Sequence, residues 1–372
     1  MAKKGENIYR RKDKRWEARY IKDYAPDGTA RYGYCYGKTY TEAKKKLLAA
    51  QMAWATGKQT VPRTKQCLAD FGDEWLQLNR TRIKEATFVK YAGVLEKYIK
   101  PRLGGCLPKH LSAVVIEQFS RGLLYEDALA PKTVKDILMI LHSILKYAGK
   151  QLSGTLPPID IVYPKDPKKE MRVLTSEEQT RLVRYLTDGG DPCQFGVLLA
   201  LMTGLRIGEV CALRWRDISV EEQTLAVTAT MQRLKDIEGI GDSKTHVVIS
   251  TPKSGTSARL IPLTAQLVAL CKKYRPDDPD AFVLTGVSER YIEPRSMQYR
   301  LEQYTAACGL KGVHFHTLRH TFATRCVEVD FEIKSLSEIL GHSTPRITLE
   351  RYVHSSLELK RNNMEKLAAI GF

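Results

Sequence analysis

The sequence has no paired cysteines and no long hydrophobic run. Its eight cysteines stand singly, without a C-x-x-C pair, so the pattern predicts neither a zinc site nor a disulfide framework. No stretch approaches the roughly 18 apolar residues of a membrane span, and the residues after Met1 are polar rather than a signal-peptide core. We therefore expect a cytoplasmic protein with reduced thiols and no membrane partner. The cysteines are Cys35, Cys67, Cys106, Cys193, Cys211, Cys271, Cys308 and Cys326.

Acidic residues are fewer than basic ones. The chain has 42 Asp and Glu against 59 Lys and Arg, a formal net charge of +17. Because basic side chains that neutralise phosphates release counterions, this excess favours nucleic acid as a partner. A membrane-surface or chromatin-like basic protein would carry the same charge, so the assignment depends on motifs. No acidic cluster has metal-ligand spacing, and we expect no cofactor.

The N-terminal part of the chain has a β-rich pattern, and the length of 372 residues allows two or three domains. Aromatic and basic residues alternate over residues 7–11, 15–22 and 30–36, which predicts a three-stranded sheet with a cationic outer face. A helix over 41–55 should cover the apolar side of this sheet. The first domain, residues 1–60, is thus predicted to be a small α+β unit. A sheet whose charges are merely solvated is the alternative.

A helical region follows, between two segments that read as linkers. Residues 57–66 have no periodic pattern, and the proline-rich residues 152–170 predict a stiff, extended connection. Between them, residues 66–150 contain four amphipathic patterns at helical spacing, which predict an all-α bundle.

The last region, residues 171–372, is predicted to be mainly α-helical with a small β-sheet. A helix start at Thr175 has the spacing of a capping box. Strand-like runs over 224–230, 246–251 and 258–262 supply the sheet.

Short motifs of basic residues in this region lead to a tyrosine near the C-terminal end. Arg206 lies in the run TGLRIGE, and His316 and Arg319 share one face of a helix because they are three positions apart. His342 follows a glycine, and Tyr352 comes ten residues later. A phenol with a pKa of about 10 is a poor nucleophile unless cations stabilise the charge it develops or attacks. The motifs therefore predict an activated tyrosine beside an anion site.

The order of these residues resembles the active site of the tyrosine recombinase (phage integrase) family, most closely the integrases of conjugative transposons and temperate phages. The resemblance covers about the last two hundred residues. Lys253, between two strand-like runs, matches the hairpin lysine of that family. The resemblance implies an arm-type DNA-binding domain at 1–60, a SAM-like core-binding domain at 66–150 and a catalytic domain at 171–372. Contacts of the first domain with DNA are expected from Arg10, Arg15, Arg19, Lys22 and Arg31.

The resemblance also implies a site-specific recombinase that integrates and excises a mobile element through a 3′-phosphotyrosyl intermediate, without a metal. Tyr352 is the expected nucleophile. Glu209 is expected to orient the basic residues. The proton acceptor is expected to be His316 and the proton donor Lys253. The phosphate ligands are expected to be Arg206, Arg319 and His342.

Several residues compete with these assignments. Lys244 is the rival of Lys253, and three other tyrosines are rivals of Tyr352. His314 and His320 are expected to be structural. The rival tyrosines are Tyr291, Tyr299 and Tyr304.

The expected partners are double-stranded DNA with core-type and arm-type attachment sites, further copies of the chain in a tetramer on DNA, and an accessory DNA-bending or excisionase protein. The expected location is the bacterial cytoplasm, in association with DNA. Two alternatives remain open: a non-catalytic DNA-binding regulator on the same fold, and strand relaxation like that of type IB topoisomerases. Detection of a covalent protein–DNA adduct separates the regulator from the enzymes.

Overall fold

The chain forms two units, each with its own core. The computed structural model describes residues 7–24, 30–55, 66–152, 160–166, 171–237, 244–251, 258–352 and 364. The first unit comprises residues 1–75, 98–129 and 136–162, and the second comprises 76–97, 130–135 and 163–372. The predicted helical domain at 66–150 contributes to both units. The three predicted domain boundaries therefore stay predictions.

Three antiparallel strands open the chain, as the alternating pattern predicts. Strands β1 (Ile8–Arg10), β2 (Trp16–Tyr24) and β3 (Ala30–Gly37) form a sheet in that order. Helix α1 (Tyr40–Ala55) packs against the sheet. The predicted sheet and its covering helix are confirmed. The buried cluster between them consists of Ile8, Ala18, Ala43 and Leu47.

The helical region also has the predicted character. Helix α5 (Ala113–Arg121) is capped by Ser112, whose hydroxyl accepts a hydrogen bond from the Val115 amide. Helix α6 (Pro131–Gln151) begins at Pro131, where a proline costs no hydrogen bond. A π-helical turn over Leu95–Ile99 precedes the short helix α4 (Lys100–Leu103). The helices are α2 (Leu68–Asn79), α3 (Glu85–Val94), α4 (Lys100–Leu103), α5 (Ala113–Arg121) and α6 (Pro131–Gln151).

The second unit is mainly helical beyond residue 171, with small sheets. The predicted capping box at Thr175 is present. The Thr175 hydroxyl accepts a hydrogen bond from the Glu178 backbone amide, and the Glu178 carboxylate accepts one from the Thr175 backbone amide. The helices are α7 (Ser176–Gly189), α8 (Pro192–Thr203), α9 (Ile207–Ala212), α10 (Ala265–Tyr274), α11 (Pro294–Ala307), α12 (Phe315–Glu328), α13 (Ile333–Leu340) and α14 (Pro345–Tyr352).

The strands of the second unit form two small sheets. They are β4 (Ile218–Ser219), β5 (Thr224–Val227), β6 (Thr230–Lys235), β7 (Thr245–Ser250) and β8 (Arg259–Pro262). One sheet has the order β4-β5-β8, and β6 pairs with β7. The strands before and after Lys253 thus belong to different sheets within the described ranges, because each pairs with a strand earlier in the chain. Lys253, in the segment between β7 and β8, lies outside the described residues.

Helix α8 is the hydrophobic centre of the second unit and fixes the position of Arg206. The Asp191 carboxylate accepts a hydrogen bond from the Cys193 amide at 3.0 Å, which caps the helix start. The helix ends at Gly204, whose φ of +71° is in the left-handed region. A Cβ there would lie 2.7 Å from Phe322 and 2.8 Å from Leu340, so the turn requires glycine. Two residues later, Arg206 is the N-cap residue of α9.

Within the described ranges, every helix is too short or too polar to cross a bilayer.

Candidate active site

A cationic pocket of about 290 Å³ opens in the second unit, where the N-terminus of α9 meets α12 and the segment from α13 to α14. Three guanidinium groups and two imidazoles lie around it, which suits a bound anion. Four of the predicted catalytic residues are therefore brought together. The lining residues are Arg206, His316, Arg319, Gly341, His342, Ser343, Ile347 and Arg351.

A buried ion network holds Arg206 in place. Its guanidinium Nη1 donates to Glu209 Oε1 at 2.8 Å, and its backbone amide donates to Glu209 Oε2 at 2.9 Å. The Arg206 Nη2 also donates to the carbonyl of Gly341 at 3.3 Å. Glu209, only 4% exposed, therefore orients Arg206 towards the segment that carries His342.

Arg259 is the second cation of this network, and it belongs to none of the motifs identified in the sequence. Its Nη2 and Nη1 donate to the two Glu209 carboxylate oxygens at 2.8 and 3.1 Å, and its side chain is 5% exposed. Burial by itself would raise the pKa of Glu209, but the hydrogen bond and charge of Arg259, with those of Arg206, lower it below the usual range. The alternation of side chains along a strand could have indicated that Arg259 faces the interior, because it lies on the same face of β8 as the buried Ile261.

Arg319 is the most deeply buried cation of the pocket, at 1% exposure. Its Nη1 donates to the Gly204 carbonyl at 2.8 Å and its Nη2 to the Leu340 carbonyl at 2.7 Å. Burial, together with the positive charge of Arg206, lowers the pKa of Arg319 to about 9. The group thus stays charged at neutral pH and is fixed before any ligand binds.

The two pocket histidines are neutral at neutral pH. His342 Nδ1 lies 2.8 Å from the Thr348 hydroxyl, which orients the ring. Burial and then the charges of Arg319 and Arg206 lower the pKa of His342 to about 3. His316 keeps an exposed surface at the pocket, but desolvation by its neighbours and then the charge of Arg319 lower its pKa to about 4.

Tyr352 lies beside this pocket and is 6% exposed. Its ring stacks parallel to that of His342, with 6.3 Å between the ring centroids. Its hydroxyl oxygen is 2.9 Å from Nδ1 of His320. Burial raises the pKa of Tyr352, and the charges of Arg319 and Arg351 offset part of this effect. His320, which is expected to be structural, is thus in direct contact with the hydroxyl of the candidate nucleophile.

The rival tyrosines are placed away from this arrangement. Tyr304 donates to the Asp191 carboxylate at 2.6 Å, and its burial raises its pKa. Tyr291 and Tyr299 are exposed and do not line the pocket. Tyr352 therefore remains the candidate nucleophile.

The predicted DNA contacts of the N-terminal domain lie in the first unit. Arg10 and Arg15 are exposed, and Arg15 pairs with Asp13 at 2.7 Å. The guanidinium of Arg19 lies over the Tyr32 ring at 3.4 Å from its centroid. Lys22 and Arg31 belong to β2 and β3, but their side chains lie outside the described part of the chain.

A tyrosine packed beside a pocket of arginines and histidines, on a mainly helical domain with a small sheet, is the arrangement of DNA strand-exchange enzymes of the tyrosine class. The profile of the phage integrase family matches residues 172–358, and that of the phage integrase N-terminal SAM-like domain matches residues 67–124. The chain therefore belongs to the phage integrase family and is a site-specific tyrosine recombinase. The recognition made from the motifs is confirmed.

Individual proteins agree with this assignment. The chain is 28% identical over 356 residues to a tyrosine recombinase XerC-like protein of Caldanaerobacter subterraneus, covering 89% of this chain and 90% of that one. The Tn1549 transposon integrase in complex with transposon right end DNA has a TM-score of 0.67 and 22% identity, covering 81% of this chain and 99% of that one. A lambda integrase tetramer bound to a Holliday junction has a TM-score of 0.56 and 18% identity, with coverage of 93% and 95%. Both structural likenesses concern the fold.

The ion network around Glu209 gives a stability prediction. We expect Glu209→Gln to lower the free energy of unfolding by about 3 kcal/mol, because it leaves the buried Arg259 without its counter-charge. Since the folded pKa of Glu209 is below its unfolded value, this contribution is present above about pH 4.3 and is lost as the pH falls through the folded pKa. Urea unfolding at several pH values measures both effects.

The matched control for this prediction is Glu328→Gln, which breaks an exposed ion pair of the same three-residue spacing with Arg325. Exposed pairs contribute little, so this variant should unfold like the unaltered protein. Equal stability losses in the two variants, or a loss for Glu209→Gln that persists unchanged in acid, would contradict the charge-based account.

Proposed function

We propose that this recombinase cleaves and rejoins DNA through a 3′-phosphotyrosyl intermediate formed on Tyr352, and that it integrates and excises a mobile element. The observation that carries the proposal is the packing of the Tyr352 hydroxyl beside a pocket whose cations are fixed by the protein itself. In such a pocket a phosphodiester can bind with its phosphorus within reach of the phenolic oxygen.

The proposed reaction is an in-line displacement at phosphorus. The Tyr352 oxygen attacks, the bond from phosphorus to the 5′-oxygen breaks, and the charge on the nonbridging oxygens is stabilised by Arg206, Arg319 and His342. Thr348 can donate its hydroxyl hydrogen to Nδ1 of His342, which leaves the proton of the neutral ring on Nε2 for donation to phosphate. These preorganised donors act where other phosphoryl-transfer enzymes use magnesium, so the reaction as proposed needs no cofactor.

Proton transfers complete the step. From the motifs we expect His316, on α12, to accept the tyrosine proton and Lys253 to donate a proton to the leaving 5′-oxygen. The energy of the broken bond is kept in the phosphotyrosyl link. A 5′-hydroxyl from another duplex can therefore reverse the reaction and exchange strands.

The proposed partners follow from the family and the charge of the chain. We propose that a tetramer of this chain acts on double-stranded DNA, as lambda integrase forms a tetramer on a Holliday junction. Core-type sites would be held by the helical and catalytic regions, and arm-type sites by the N-terminal sheet. The proposed location is the bacterial cytoplasm, with a DNA-bending or excisionase protein as an accessory factor.

Trapping on a nicked duplex tests the proposed function. A nick close to the scissile phosphate lets a short fragment with the 5′-hydroxyl diffuse away, so the covalent intermediate accumulates and survives SDS. A non-catalytic regulator would bind the duplex without forming an adduct. An enzyme like the type IB topoisomerases would form adducts on supercoiled DNA and relax it without exchanging strands between two sites.

The N-terminal sheet gives a prediction about modularity. Deleting residues 1–62 should abolish binding to the arm-type sites and spare cleavage at the core-type site, because the pocket residues all lie beyond residue 200. Gel-shift assays on each kind of site, together with trapping, measure the two activities separately.

Point variants of the full-length chain provide the control for this deletion. Arg10→Ala removes an exposed charge from β1, whereas Lys45→Ala removes one from α1. If the N-terminal sheet binds in the major groove of DNA, only Arg10→Ala should weaken binding to the arm-type sites. Loss of core-site cleavage in a truncated protein that still has its helical circular dichroism would contradict separable domains.

A further inference from the structure

His320 makes the contact with the attacking oxygen that the proposed mechanism leaves unexplained. Its Nδ1 lies 2.9 Å from the Tyr352 hydroxyl oxygen. His320 is 7% exposed, so neither partner of this hydrogen bond is in open solvent. The ring of His316 packs edge-on against that of His320, with 4.5 Å between the centroids, and lines the pocket on its other side.

We propose that His320 is a catalytic residue, whose Nδ1 takes the phenolic proton of Tyr352 during cleavage and returns it during rejoining. This inference rests on the proposed function, because it concerns the proton of the same nucleophile. It replaces His316 by His320 as the acceptor of the phenolic proton and leaves each histidine of α12 with one task. His320 serves the attacking oxygen, and His316 serves the phosphate in the pocket.

The chemistry of the neighbouring groups favours His320 as the acceptor. Arg319 and Arg351 carry only hydrogen-bond donors, so neither can receive the phenolic proton. Burial, and then the neighbouring His316 and the charges of Arg351 and Arg319, lower the pKa of His320 to about 4. The ring is thus neutral at neutral pH, and in the tautomer with its hydrogen on Nε2 the Nδ1 lone pair faces the hydroxyl.

A bound phosphate would make this histidine a better base. Its negative charge would offset the guanidinium charges that disfavour a protonated imidazole beside Tyr352. The imidazole would then take the proton more readily as the Tyr352 oxygen bonds to phosphorus. Without DNA, burial keeps the phenol protonated, and its hydroxyl stays hydrogen-bonded to His320.

The step balances without an outside reagent. In cleavage the phenolic oxygen bonds to phosphorus, its proton moves to His320, and the leaving 5′-oxygen takes a proton from the general acid. In rejoining the 5′-hydroxyl attacks the phosphorus and the bond from phosphorus to the Tyr352 oxygen breaks. The proton of the 5′-hydroxyl returns to the general acid, and Tyr352 recovers its own from His320.

The test is His320→Asn in a single-turnover trapping assay on a nicked core-site duplex. The asparagine amide can occupy the place of Nδ1 and accept a hydrogen bond, but it is not a base. We expect adduct formation to slow by about 10²- to 10⁴-fold, the usual contribution of a general base. DNA affinity should stay unchanged. The control His314→Asn changes an exposed histidine that does not line the pocket and should cleave at the normal rate.

A more acidic nucleophile separates base catalysis from structural support. Replacing Tyr352 by a fluorinated tyrosine lowers the phenol pKa, so the nucleophile needs less help in losing its proton. We expect the fluorinated residue to recover most of the rate lost in His320→Asn and to change the otherwise unaltered enzyme little. A structural defect would persist with either nucleophile.

Each outcome decides a different claim. A normal rate for His320→Asn, or a defect that the fluorinated tyrosine leaves unchanged, would overturn the role of His320 without affecting Tyr352. Absence of any adduct in the unaltered protein would overturn the proposed function itself. If His320→Asn fails to fold, the same comparison is made with His320→Gln, and a normal rate there overturns the proposal as well.

Discussion

Tyr352→Phe should bind its DNA sites with nearly unchanged affinity and form no SDS-resistant adduct. The phenylalanine ring can still stack on His342, so the pocket and its cations are kept. Only the oxygen that would bond to phosphorus is removed. The variant also loses one buried hydrogen bond, to His320, which contributes about 1 kcal/mol, so it should stay folded.

The measurement for this variant is denaturing electrophoresis of labelled nicked duplex after incubation with protein. Tyr299→Phe, which changes an exposed tyrosine on α11, is the matched control and should form the adduct normally. An adduct with Tyr352→Phe would assign the nucleophile elsewhere, first to Tyr304 or Tyr291. Weak DNA binding by a folded Tyr352→Phe would mean that the hydroxyl contributes to recognition.

Lys253→Ala should cleave ordinary DNA slowly and recover most of its rate when the scissile 5′-bridging oxygen is replaced by sulfur. An alkoxide leaving group is strongly basic, because the pKa of its conjugate acid is near the value of about 15.7 for water, so its departure needs a proton. A thiol has a pKa of about 8.5, so a thiolate can leave without being protonated. For the oxygen substrate we expect a loss of about 10²- to 10⁴-fold, the range of general acid catalysis.

Arg206→Ala is the control for this comparison of oxygen and sulfur leaving groups. The proposed role of Arg206 is to stabilise nonbridging oxygens, which the sulfur substitution leaves in place, so its defect should be the same on both substrates. Single-turnover cleavage rates on the paired substrates measure the difference. Equal defects of Lys253→Ala on both would restrict the lysine to positioning the phosphate, and the acid would then be sought among Lys244, His316 and His342.

Much of the fold could be predicted because its signals are local. Alternation of apolar and polar residues specifies the N-terminal strands, and the capping box at Thr175 specifies a helix start within four residues. The pairing of β8 with β5 is not local, since the register joins Leu225 to Ile261. Nothing in the sequence near either strand identifies its partner, so this pairing could not be predicted.

The candidate site also has residues that local motifs predict and contacts that depend on tertiary packing. Arg206, His316, Arg319 and His342 could be predicted to lie together because each belongs to a compact motif of the family, and the structure places them around one pocket. Arg259 reaches Glu209 across 50 residues of sequence, and strand alternation places its side chain on the buried face without identifying this partner. The contact of His320 with Tyr352 depends on how α14 packs on α12, and a sequence shows only that His320 follows Arg319.

The two carbonyl contacts of Arg319 affect how related sequences should be interpreted. The residue caps the C-terminal ends of α8 and α13, where carbonyl groups lack partners in their own helix. A related protein that no longer recombines DNA would still need this arginine to stay folded. It would no longer be under selection to keep the hydroxyl of Tyr352. The presence of Arg319 in a degenerate relative therefore indicates an intact fold, and only the tyrosine reports whether the chemistry has survived.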